Sequence, residues 1–378
     1  MERISIVPRN NWQKEVEKLG FGFHTLDVPY WDESVYYKFT MDEILSIEKA
    51  TGELWDMCLK AVQHVIDNNF YSRFGIPVSF KNYIESSWNN DVPAIYGRFD
   101  FCYNNGVLKM LEFNADTPTS LYESGVVQWQ WLQGFDDKKD QFNSIQDKLI
   151  TYWKYLAEYL NPGILHFTCV KQSLEDLTTT EYMRDCAIQA GLITKLVFID
   201  DIGWDENNQL FVDMEDQPIQ NIFKLYPWEW MINESFGENI LKDQMPVLWI
   251  EPAWKMILSN KGILPILWQL YPNHPLLLKA SFDGPDSMTD YVKKPLWSRE
   301  GANISIFKNN AAVQSTKGDY GEEGFIYQEL AELPKFGAGY PMIGSWVIGQ
   351  EAAGIGIRES DNLITGNTSR FVPHLIDG

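Results

Sequence analysis

Apolar positions recur at three- and four-residue steps between residues 41 and 67, at Ile44, Ile47, Leu54, Cys58, Ala61 and Val65. That period predicts an amphipathic helix, weakened slightly by Gly52. Strict alternation follows: YGRFDFCY and VLKMLEFNAD read as two strands around a turn at Asn104-Asn105-Gly106. Further on, the pattern predicts helices over roughly 142–160 and near 178–191, the second ending at Gly191. GILHFTCV (163–170) and KLVFID (195–200) read as strands, the first of them buried. A strand–helix–strand order argues for a parallel α/β element in the middle of the chain. The last third returns to strands, YVKKPL, NISIF, FIYQEL and SWVIG, joined by glycine-rich loops. No repeat, low-complexity tract or obvious linker interrupts this order. The fold class expected is mixed α/β with several sheets.

Length and composition narrow the picture. The chain has 378 residues, 45% hydrophobic and 22% charged, enough for a real core and for two or three compact subregions. No run of about 20 apolar residues is present, so no membrane span is expected. The opening residues lack the basic-then-apolar order of a secretory signal. Cys58, Cys102, Cys169 and Cys186 are widely spaced, which argues against a disulfide framework or zinc site and for a reducing cytoplasm. With 31 basic against 52 acidic residues the net charge is -21, which disfavours nucleic-acid binding. Such a surface attracts cationic small molecules, a polyamine for example, although solubility alone also accounts for it. The 15 tryptophans suit either a carbohydrate-binding surface or, more simply, a core filled by large rings.

Candidate chemistry concentrates at residues 96–119. Phe99, Phe101, Leu111 and Phe113 hold odd positions, while Arg98, Asp100, Glu112 and Asn114 hold even ones. Side chains alternate between the faces of a strand. A three-residue loop, Asn104 to Gly106, would set residue 98 opposite 112 and 100 opposite 110, so that both even sets share one face. A two-residue loop would put them on opposite faces. In the preferred register one face is aromatic core, and the other gathers two carboxylates, an amide and a guanidinium. Oxygen ligands of this kind suit Mg2+, and Arg98 could grip a phosphoryl oxygen. The plainer reading is a solvated strand face with an ordinary salt bridge.

A second stretch, YVKKPLWSREGANISIF (291–307), carries Lys293 and Lys294 on one strand, so one lysine can reach inward. An inward lysine and the backbone at Gly301 suit phosphates, and Arg299 in the loop Ser298–Asn303 is placed to close on a transferring phosphoryl group. Neither a P-loop nor a strand-linked GxGxxG is present. FIYQEL (325–330) could read an adenine edge through its backbone. Lys261, in SNKGILPILW, is a second candidate for phosphate, though alone it reads as a surface residue. Arg358 could bind phosphate or a substrate carboxylate, or simply pair with Glu359 or Asp361.

Taken together, YGRFDF, LEFNADTPTSLYE, SNKGILPILW, VKKPLWSREGAN, YQEL and GIRE…LIT…SRFVPH resemble the synthetase domain of the glutathionylspermidine synthase family, from about residue 10 to 378. The resemblance is greatest to members consisting of that domain alone. It implies an ATP-grasp fold with ATP held between two sheet-bearing parts. It implies Mg2+ on Asp100, Glu112 and Asn114, with Arg98 and Arg299 stabilising the transferring phosphoryl group. Lys261 and Lys294 would hold ATP phosphates, Gln328, Glu329 and Leu330 would lie along the adenine, and Arg358 would bind phosphate or substrate. Thr117 and Thr119 stand where glutathione-binding members carry serines, and Glu175 and Asp176 fall near an acidic substrate-binding pair. The implied subregions are a helical part at 1–90, a metal and acid-substrate part at 91–250, an ATP-grasp lid at 257–330 and a C-terminal return at 331–378. The amidase domain of bifunctional members has no counterpart here, so amide hydrolysis is not expected.

These readings converge on an ATP- and Mg2+-dependent acid–amine ligase working through an acyl phosphate, on a small acid or peptide and a polyamine or amino acid, with a monomer and a homodimer both compatible with the sequence. Two alternatives are a catalytically silent ATP-binding regulatory module and a carbohydrate-active protein using paired carboxylates. The first needs a missing site residue and none is evident; the second leaves the lysine-bearing hairpin without a role. The five histidines are scattered, and each reads as structural.

Overall fold

A computed structural model describes every residue except Asp27, Ala338, Asn367, Thr368 and Gly378. The predicted helix spans Met41–Asp67. Thr40 begins it with a capping box: its hydroxyl accepts from the Glu43 N–H while the Glu43 carboxylate accepts from the Thr40 N–H. Its apolar stripe, Ile44 through Val65, is buried against the main sheet.

That sheet is antiparallel and has five strands, in the order Arg370–Val372, Glu351–Ser360, Tyr340–Ile348, Tyr96–Asn104 and Val107–Asn114. The end of the chain therefore pairs with its first third. A second sheet is parallel, ordered Leu248–Ile250, Asn221–Leu225, Leu165–Cys169 and Thr194–Leu196. It contains the parallel element expected from the sequence. The linking helix begins earlier than predicted, at Leu174–Gln189, and the strand predicted over 195–200 is shorter. A third sheet, antiparallel, runs Ala280–Ser281, Phe325–Glu329, Tyr291–Pro295, Ser305–Lys308 and Ala311–Ser315. Three short strands, Glu2–Ser5, Val35–Thr40 and His374–Asp377, join the two ends of the chain.

The hairpin at 96–114 departs from the expected register. Asn104 pairs with Val107, so the turn has two residues, Asn105 and Gly106, with φ of 50° and 80°. Positive φ at both positions is what a tight hairpin turn needs, and asparagine followed by glycine supplies it. The faces match nonetheless, because a β-bulge intervenes: Asp100 pairs with Glu112 and Phe101 with Met110, leaving Leu111 as the extra residue. Below the bulge Arg98 lies opposite Asn114. Leu111 leaves the aromatic face and borders the cleft, while Met110 is buried in the core in its place. Phe99, Phe101 and Phe113 form the expected core layer, with Phe99 and Phe113 stacked at 3.9 Å between centroids.

Candidate functional site

A cleft opens between the polar face of this hairpin and the third sheet. It is lined by Arg98, Asp100, Glu112, Asn114, Lys261, Lys294, Arg299 and Arg358. The bulge makes this face possible. By shifting parity once between the turn and the site, it brings Glu112 and Asn114 of one strand to the same face as Arg98 and Asp100 of the other. Arg98 Nε donates to Asp100 Oδ1 at 2.7 Å and Nη2 to Oδ2 at 3.0 Å, while Nη1 donates to the Thr119 carbonyl. Gly344 on the neighbouring strand leaves room for this arginine, since a Cβ there would lie 2.7 Å from Arg98 Cδ.

Asn114 Nδ2 donates to Asp100 Oδ2 at 2.9 Å and to Glu112 Oε1 at 3.4 Å. Burial raises the Asp100 carboxyl above its ordinary range against the pull of Arg98. Burial also opposes charge on Glu112, but Lys261, Lys294 and Arg98 outweigh it and hold Glu112 down to about 2. Among the described residues, no group of three or more His, Cys, Asp or Glu side chains could hold a metal ion. A cation here would rest on two carboxylates and, once its amide turns over, the Asn114 oxygen, with the remaining positions taken by water or phosphate. That donor set fits Mg2+ and not a softer metal.

Of the two adjacent lysines, Lys294 is the buried one. Its ammonium donates to Gln328 Oε1 at 2.7 Å and the Leu111 carbonyl at 2.9 Å. Burial pushes it down to about 8, the neighbouring Glu112 notwithstanding. Lys293 turns the other way, its ammonium 3.9 Å from the Phe325 ring centroid. Lys261 is buried too, which corrects its reading as a surface residue: its ammonium reaches the Ser298 carbonyl at 2.8 Å and Glu112 Oε2 at 3.4 Å. Gln328, Glu329 and Leu330 all line the cleft. The N–H groups of Glu329 and Leu330 donate to the carbonyls of Lys279 and Asp290.

Arg299 Nη1 donates to Thr117 Oγ1 at 2.6 Å and lies 3.9 Å from Glu229 Oε1, with Cζ 5.6 Å from the Trp230 ring. Thr119 contributes its backbone carbonyl, to Arg98. Arg358 makes no ion pair with Glu359 or Asp361; those carboxylates pair with Arg370, and Glu359 also with Arg3. Its Nη2 donates to the Gly366 carbonyl at 2.8 Å, and Cζ lies 5.7 Å from the Tyr30 ring.

Glu175 and Asp176 do not line the cleft. They begin a helix beside it. Burial raises both carboxyls; Glu175, with the Glu123 charge adding, reaches about 8 despite Arg358.

Two functional residues escaped the sequence reading. Glu229 faces Arg299 across the cleft, but its segment, PWEWM, carries no periodic signal. Asp116 sat in view within ADTPT, yet nothing in sequence shows its partner. The buried Lys224, 108 positions away, donates to Asp116 Oδ1 at 2.6 Å, and the Trp228 N–H donates to Oδ2 at 2.8 Å. This pair fixes the start of the loop from which Thr117 and Thr119 hold the two arginines.

Two sheets enclosing a cleft with inward lysines, arginines and a carboxylate face define an ATP-grasp-like protein. The solved glutathione synthetase-like effector of Globodera pallida shows the same fold: TM-score 0.58 over 90% of this chain and 89% of that one, at 10% identity. Residues 3–377 match the family described as glutathionylspermidine synthase preATP-grasp, and the chain belongs to that family. It is similar to a Haemophilus influenzae protein named as an acid–amine ligase, 42% identical over 99% of both chains. It is also similar to the trypanothione synthetase of Crithidia fasciculata, at 32% identity over 84% of this chain and 53% of that one. The bifunctional glutathionylspermidine synthetase/amidase of Escherichia coli is 28% identical over 97% of this chain and 63% of its own length. The protein is thus a carbon–nitrogen ligase.

Proposed function

We propose that the chain couples ATP hydrolysis to amide formation between a small carboxylic acid and an amine. The observation that carries this reading is the gathering of Arg98, Lys261, Lys294, Arg299 and Arg358 around the Asp100–Glu112–Asn114 face, in a chain of net charge -21. Five cationic side chains converging on one carboxylate face, in so acidic a molecule, are the arrangement that a magnesium-bound polyphosphate calls for.

A carboxylate does not condense with an amine in water, because hydroxide is a poor leaving group. Phosphorylation of the acid by the γ-phosphoryl group of ATP breaks the γ-phosphoryl–ADP bond and gives an acyl phosphate. Attack by a neutral amine then expels phosphate. Mg2+, held by Asp100, Glu112 and Asn114, would neutralise charge on the transferring group. Lys261 and Lys294 orient the phosphates, and Arg98 and Arg299 meet the charge that develops during transfer. Arg299 sits in the loop at 298–303, where closure would keep water from the acyl phosphate. Thr117 and Glu229 border the acid subsite. Glu175, near Arg358, and Asp176, near Arg299, hold their protons more firmly than ordinary carboxyls in the free protein; a cationic amine arriving beside them would favour their ionised forms and be held by them.

ADP release from Mg2+-ATP against acids and peptides crossed with polyamines and amino acids tests the reading. ADP formed only when an acid and an amine are both present supports it. Binding of ATP with no productive pair across a broad panel points instead to a silent nucleotide-binding module. Absence of ATP binding overturns the proposal.

A further inference from the structure

A second cavity, of about 390 Å3, shares no lining residue with the main cleft. Its walls are Ile199, Ile202, Phe211, Met231, Ile240 and Trp249, all apolar, with Tyr226 and Phe236 beside them. The short helix Trp228–Met231 stands between the two spaces: Met231 faces the cavity, and Glu229 the cleft.

Among the described residues, its only charged lining groups are Asp200 and Glu234. Among the described residues neither carboxylate has a salt-bridge partner, and both are exposed. Glu234 accepts from the Tyr226 hydroxyl, whose pKa burial and these two carboxylates raise. Aromatic faces and uncompensated carboxylates at one opening favour a cation, through ring quadrupoles and through charge. The apolar interior beyond them favours an alkyl or aryl body.

We propose that this cavity binds a small organic ammonium ion, its apolar body inside and its cationic head between Asp200 and Glu234, separately from the ligase cleft. The ligand is a primary or substituted amine with one charged end. A doubly charged polyamine would have to bury its second charge among Ile202, Phe211, Ile240 and Trp249, where nothing pairs with it.

Isothermal titration calorimetry of the full chain with hexylammonium and with hexanol tests this without reference to catalysis. One hexylammonium per chain is expected, with hexanol at least about tenfold weaker. The Asp200→Asn/Glu234→Gln variant should bring hexylammonium to the level of hexanol. Both substitutions are at exposed positions, and glutamine keeps an acceptor for Tyr226, so folding is retained. Saturating Mg2+-ATP should leave binding unchanged. Equal affinity for the two probes, no saturable binding, indifference to the double substitution or displacement by Mg2+-ATP would each overturn the proposal.

Discussion

Lys294 is protonated below about 8 and neutral above it, because burial removes water from its ammonium. Bound phosphates favour the protonated form and raise that value, so affinity is full below the free protein's pKa and is lost as pH rises through it. ATP affinity is therefore expected to fall above pH 8, by up to about tenfold per pH unit. Equilibrium dialysis across this range, with Lys294→Met as the flat control, checks it; equal slopes in the two proteins would remove Lys294 from the phosphate site. Glu112 stays ionised across the same range. Glu112→Gln keeps its shape but removes the charge, and should lower ATP turnover by about 100-fold or more with an unchanged circular dichroism spectrum.

At the scale of elements, the loop from Asp116 to Thr119 joins the hairpin to the lid. Thr117 and Thr119 hold Arg299 and Arg98, and Lys224 from the parallel sheet fixes Asp116. Removing one partner of a buried pair strands the other's charge. Lys224→Met should cost about 3 kcal/mol of stability in urea unfolding, and ATP turnover should fall in the folded fraction. Arg299→Ala should lower turnover by about 100-fold or more while changing ATP affinity far less, since the proposed reaction calls on its charge when the phosphoryl group moves. Pre-steady-state kinetics and nucleotide binding, measured together, separate the two effects.

Over the whole molecule, a net charge of -21 surrounds a cleft lined by five cationic side chains. The long-range field attracts an amine and opposes ATP, so the two should respond unequally to salt. Raising NaCl should increase KM for a cationic amine, while KM for ATP rises less or falls. Parallel changes for both would show that local pairing outweighs the surface field. No helix among the described residues is long and apolar enough to cross a membrane.

Local pattern was enough for the helix at 41–67, the parallel strand–helix–strand element and the polar face of the hairpin, because each rests on periodicity or on contacts a few residues apart. The sequence also sufficed to say that one of Lys293 and Lys294 turns inward, since adjacent strand positions must diverge, while the folded sheet shows that it is Lys294. Register was another matter. Asn105-Gly106 is the signature of a two-residue turn, but that turn alone would set the even residues on opposite faces; the bulge at Leu111 that reconciles them arises from pairing across strands, so only the folded hairpin shows how Asp100 meets Glu112. The same holds for Lys261, buried by a sheet that closes over it from 30 or more positions downstream. Glu229, the Lys224–Asp116 pair and the cavity beside Met231 depend on segments brought together from across the chain. Their chemistry comes from burial and proximity, which no local window of residues contains.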